Sequence, residues 1–110
     1  MEITTEGHGQ VAVVRLAGNL DTNSSPEVQE YLGRTIEEGA EKVLVNLLSV
    51  DFVSSAGLRV LLATAKRLGG GGQRFRICGL NESVAEVFEI SGFSTIFEVH
   101  PSEADALAGF

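Results

Sequence analysis

Two adjacent serines, Ser54 and Ser55, stand where the chain changes its hydrophobic period. Before them, Val43-Leu44-Val45-Asn46-Leu47-Leu48 is a largely apolar run that looks like a strand buried on both faces. After them, Leu58, Leu61, Leu62, Ala65 and Leu68 recur at helical spacing. A serine at such a junction can accept one of the free backbone N–H groups of the helix's first turn. It also sits in the positive field of the helix N-terminus, which favours a phosphate. Ser55 thereby reads as a candidate N-cap, and Ser54 as a cap or turn former. Arg59 falls four residues after Ser55, on the same side of the helix. It is either a solvated surface residue or a contact to a phosphate or partner.

The other polar residues carry less chemistry. Asp21 follows a strand pattern and precedes Thr22-Asn23-Ser24-Ser25, a composition that suits an Asx-turn or a cap. His8 and His100 are isolated, and no nucleophile–base pair has motif support. The run Gly69–Gly72 follows a helix and lacks the Lys-Ser/Thr of a phosphate-cradling loop, so it reads as a flexible turn. Cys78 is the only cysteine, which leaves no disulfide framework or cysteine metal cluster and makes core packing its expected role. No catalytic residue, metal or cofactor is expected, and the chain is not expected to be an enzyme.

The elements that must position these residues follow from composition and pattern. A chain of 110 residues, 44% hydrophobic and 21% charged, describes one folded domain over residues 1–110. Its net charge of −7, with eight scattered basic residues, argues against nucleic-acid binding but suits a partner with a basic surface. No apolar run reaches the length of a membrane span, Met1-Glu2-Ile3 begins no signal peptide, and a bacterial-type cytoplasm is expected.

Val11–Leu16 is β-branched and reads as a strand, with Ile3–Thr5 as its hairpin partner across the Gly7–Gly9 turn. Gly18-Asn19 is expected to break that strand, with Leu20-Asp21 continuing it briefly. Ser24 and Ser25 before Pro26, with Ser24 and Glu27 at capping-box spacing, open a helix whose face is Val28, Leu32 and Ile36. Gly69–Gly72 stops the second helix, Phe75–Cys78 forms a strand, and Asn81 caps a third helix with the face Val84, Val87 and Phe88. Thr95-Ile96-Phe97 is expected as a last strand and Ser102–Leu107 as a final helix. After the hairpin the order is α-β-α-β-α-β-α, an α/β fold with a mixed four- to five-stranded sheet and about four helices.

Asp51-Phe52-Val53-Ser54-Ser55-Ala56-Gly57-Leu58 resembles the signature of bacterial anti-sigma factor antagonists, the small STAS-domain proteins. Leu16-Ala17-Gly18-Asn19-Leu20-Asp21 resembles the family's L-x-G-x-L-D segment, and Phe88-Glu89-Ile90-Ser91-Gly92-Phe93 its stretch near the end. Aligned on Gly57-Leu58, Ser55 falls on the serine that the family's kinases phosphorylate, and Ser54 stands where the family commonly has aspartate. The resemblance implies a STAS fold and partner switching. The unmodified protein binds an anti-sigma factor that is also a serine kinase, phosphorylation separates the two, and a serine phosphatase resets the cycle. It implies a partner-binding face containing Asp21, Asn23, Ser24, Ser54, Ser55, Gly57, Leu58 and Arg59, with Ser55 as phosphoacceptor in preference to Ser54. A soluble STAS subunit of a lipid-transporting ABC system, docking on its ATPase without entering the membrane, is the alternative role.

Overall fold

A computed structural model of the protein describes residues 1–69 and 73–110. The elements run β1 (Glu2–His8), β2 (Val11–Leu20), α1 (Ser25–Glu37), β3 (Lys42–Val53), α2 (Ser55–Arg67), β4 (Phe75–Cys78), α3 (Glu82–Ile90), β5 (Val99–His100) and α4 (Glu103–Leu107). They build a single STAS-like α/β domain around one five-stranded mixed sheet, whose spatial order is β1-β2-β3-β4-β5. β1 pairs antiparallel with β2, and every later pair is parallel. Sheet order therefore equals chain order. Crossovers of one hand, repeated in one direction, place successive helices on the same side of a sheet.

The packing shows that arrangement. Val43, Val45 and Leu47 of β3 share one core with Val28 and Leu32 of α1, Leu58 and Leu61 of α2, and Val84 and Phe88 of α3. The intervening Leu44 joins Val11, Val13 and Cys78 on the other side, beneath Ala106 of α4. β3 thus buries apolar residues on both faces, with Leu44 as its apolar contribution on the α4 side. On the α4 side, Arg15 donates to Glu103 from Nε (2.7 Å) and Nη2 (2.9 Å), and Asn46 donates to the same carboxylate (2.6 Å). The Arg15 guanidinium holds the Glu103 carboxyl below its usual range, against the opposing effect of partial burial. Burial pushes the Cys78 thiol up to about 11, with the Glu103 charge adding to it.

Three local expectations are corrected. β2 runs through Gly18-Asn19 to Leu20, because Gly18 takes φ +118° at a register irregularity that the ladder to β3 absorbs. A second correction is at Thr95-Ile96-Phe97, which is no strand: Phe93–Thr95 is a single 3-10 turn. Gly92 enters the left-handed region at φ +77°, and the Phe97 N–H bonds back to the Phe93 carbonyl at 3.0 Å. That fold-back seats the Phe97 ring against Phe75, Phe88 and Phe93 at centroid distances of 5.7–6.0 Å. The last strand is Val99–His100. The third concerns Ser24, treated below. α2 ends at Arg67 and Gly69 takes φ +98°, while the rest of the expected Gly69–Gly72 turn lies outside the described residues.

Candidate functional site

β3 extends beyond Leu48 to Val53, so the first half of the serine segment is strand. The Ser54 N–H donates to the Leu20 carbonyl at 2.8 Å, next to the Leu20–Val53 pairing, and holds Ser54 extended at φ −87°, ψ 172°. An extended residue directly before a helix is in N-cap geometry. The Ser54 hydroxyl accordingly accepts from the Gly57 N–H at 3.3 Å. Ser54 is therefore the cap, and Ser55 is the first helical residue. Ser55 is exposed, and its hydroxyl makes no hydrogen bond among the described residues. The first turn of α2 contains no acidic side chain, so its positive end is uncompensated from within the helix.

Gly57 fixes how closely this turn approaches the sheet. A Cβ there would lie 2.7 Å from Leu20 Cγ and 2.8 Å from the Leu20 carbonyl oxygen. Leu58 is buried in the core behind it. Gly57 and Leu58 thus point inward, and what they contribute is the position of the turn that displays Ser55.

The β2–α1 loop lies beside this turn, through the Leu20 contacts. Asp21 accepts from the backbone N–H of Asn23 (2.9 Å) and of Ser24 (3.0 Å), the Asx arrangement its neighbours imply. The Ser24 N–H, followed by that of Asn23, holds the Asp21 carboxyl below the usual carboxylate range, against some desolvation. The capping box expected of Ser24 does not form. Ser24 is already helical at φ −91°, ψ −18°, and its hydroxyl donates to the Asn19 carbonyl at 2.6 Å and accepts from the Asp21 N–H at 3.0 Å. Ser25 is buried and donates to the Asp21 carbonyl at 2.5 Å.

The structure brings Asp21, Asn23 and Ser24 to the same end of the domain as Ser54, Ser55 and Arg59. Between α1 and α2 it leaves an open groove of about 370 Å³, bordered by Thr22, Pro26 and Gln29 on one side and Ala56, Arg59 and Ala63 on the other. The alanines create the space. Sequence reasoning singled out neither this groove nor Phe52, a large apolar side chain 50% exposed two residues before Ser54. A signal for Phe52 does exist in the sequence: in a strand whose neighbour Val53 is a core residue, Phe52 must face the other way.

The sheet order, the packing of α1 to α3 on one face and the capped strand-to-helix turn define a class. The STAS-domain family matches residues 2–106, and the chain belongs to that family. It is 34% identical over its full length, and over 95% of the relative, to BtrV of Bordetella bronchiseptica, which is provisionally described as an anti-sigma factor antagonist. It is 31% identical, over 91% of this chain and 93% of the relative, to the anti-sigma-B factor antagonist of Staphylococcus epidermidis. Among solved structures, an anti-sigma factor antagonist from Mycobacterium paratuberculosis superposes with a TM-score of 0.88. That structure is 24% identical, covering 98% of this chain and 92% of its own. Among the described residues no helix is long and apolar enough to cross a membrane.

Proposed function

We propose that the protein is an anti-sigma factor antagonist which binds an anti-sigma factor with serine-kinase activity and is released when Ser55 is phosphorylated. The observation that carries this is the state of the four serines at the site. Ser24, Ser25 and Ser54 are committed to backbone partners, whereas the Ser55 hydroxyl is exposed and unbonded. A kinase needs an acceptor hydroxyl it can reach without dismantling the fold, and Ser55 is that hydroxyl. The names of the relatives support the choice of partner.

The switch follows from charge. A phosphoserine carries about −1.5 to −2 charges at pH 7, and enclosing it in a close interface costs affinity unless cations meet it. The chain is already acidic at −7, so the added charge further disfavours approach to any acidic part of the partner. A serine phosphatase would restore the neutral hydroxyl and the binding-competent surface. In this reading the chain supplies substrate and docking surface, and the kinase supplies the catalysis.

The test is incubation with the cognate kinase and ATP, followed by peptide mass spectrometry and by calorimetric titration of the partner. One phosphate on Ser55 is expected. Ser55→Asp is expected to lose at least tenfold in affinity, a cost of about 1.4 kcal/mol, with an unchanged melting temperature. Modification of Ser54 in a Ser55→Ala protein, or equal affinity for Ser55→Asp and wild type, would overturn the reading.

A further inference from the structure

We propose that Arg59 is the internal counter-ion of a phosphate on Ser55, drawing it along α2 toward the groove between α1 and α2. This rests on the reading of Ser55 as phosphoacceptor and adds what the modified side chain does next.

Four arginines of the domain are engaged. Arg15 pairs with Glu6 and Glu103, Arg34 with Glu30, Arg67 with Glu37, and Arg76 with Glu98. Arg59 is exposed and makes no hydrogen bond or ion pair among the described residues. It stands four residues after Ser55 within one continuous helix. Side chains at that spacing are neighbours on a helix surface, and the acid-before-base order is the favourable one. At 100° per residue, Arg59 is rotated roughly 40° from Ser55 about the helix axis. Ala56, which borders the groove with Arg59, lies further round in the same sense. Arg59 therefore stands between Ser55 and the groove.

The first turn of α2 carries no acidic side chain, so nothing in that turn competes with a phosphate for Arg59. No other cation stands on α2 before Lys66. Guanidinium also suits the task, because its planar fork can meet two phosphate oxygens at once, where an ammonium acts as a point charge. The pair would offset part of the new charge and give the modified state a defined shape, with phosphate, Arg59 and the groove rim on one surface.

The test uses the full chain with phosphoserine installed at position 55 during translation, so that it needs no kinase. Phosphorus NMR across a pH titration reads the second ionisation of the phosphate. A neighbouring cation favours the dianion, so the wild-type value is expected below that of Arg59→Gln by about 0.3 unit or more. Arg59→Lys is expected to keep at least half of the difference, and about 1 M salt to shrink it. Equal values in wild type and Arg59→Gln would overturn the proposal. So would complete loss of the shift in Arg59→Lys, which would assign it to packing instead of charge. A kinase that fails to modify Ser55 would sink the functional reading, while this titration would still decide the role of Arg59.

Discussion

The chain contains two Ser-Ser pairs, each placed where a parallel strand hands over to a helix, and the fold treats them in opposite ways. At Ser24-Ser25 both hydroxyls are spent on the turn: Ser24 bonds to Asn19 and Asp21, and the buried Ser25 bonds to the Asp21 carbonyl. Asp21 closes that loop by accepting from Asn23 and Ser24. At Ser54-Ser55 the first hydroxyl caps the helix and the second is left free. The difference comes from what precedes each pair. A four-residue loop gives the first pair its own carboxylate and carbonyls to bond, whereas β3 runs directly into α2 with a single linking residue. A hydroxyl at the first helical position of so short a connection has no loop atoms to turn to and faces solvent. One pair is scaffold, and the other presents a free hydroxyl.

Substitutions can break that contrast. The largest effect is expected from Gly57→Ala, since the new Cβ would meet the Leu20 carbonyl oxygen at 2.8 Å and α2 would have to move. A loss of about 1–3 kcal/mol in urea unfolding is expected, as for overpacking elsewhere. The displacement would carry Ser55 with it, so phosphorylation should slow as well. Unchanged stability would mean that the close approach of α2 to β2 is not needed.

A smaller effect separates the two serines of the presenting pair. Ser54→Ala removes the hydroxyl that accepts from Gly57 and is expected to cost about 1 kcal/mol. Ser55→Ala removes an exposed, unbonded hydroxyl and is expected to stay within about 0.5 kcal/mol of wild type. Thermal melts of the two variants side by side decide it. The reverse ranking would show that Ser55 is the structural cap after all.

The smallest effect concerns Asp21 and is read against pH. Its folded carboxyl ionises below the usual range because the N–H groups of Ser24 and Asn23 favour the charged form. Stability from this source is fully present above the ordinary carboxylate value and is lost as pH falls through the lowered one. The gap between wild type and Asp21→Asn in urea unfolding should therefore be largest near neutrality and shrink below about pH 4. A gap independent of pH would show that the loop is held by shape and not by charge.

Much of this molecule is legible in its sequence, wherever a feature depends on neighbours in the chain. The period change at Ser54-Ser55, the Asx-turn residues after Asp21, the Asn81 cap and the hydrophobic faces of α1 to α3 are local patterns. Local patterns gave the type of most elements and their alternating order, with the last strand misplaced at Thr95-Ile96-Phe97. The resemblance carried by residues 51–58 named the family from the same positions.

What the sequence could not decide depends on atoms far away along the chain. Whether Ser54 or Ser55 caps α2 turns on one bond from the Ser54 N–H to the Leu20 carbonyl, 34 residues earlier, which holds Ser54 extended and starts the helix one residue later. Whether β2 stops at Gly18 depends on β3, whose ladder carries it to Leu20. Thr95-Ile96-Phe97 has strand-forming side chains, yet the pocket made by Phe75, Phe88 and Phe93 takes the Phe97 ring and turns the backbone instead. The groove beside Arg59 exists only because two helices meet with Ala56 and Ala63 between them. Propensity and pattern act over a few residues and set the elements, whereas register, close approach and burial couple distant segments and set which hydroxyl is left free.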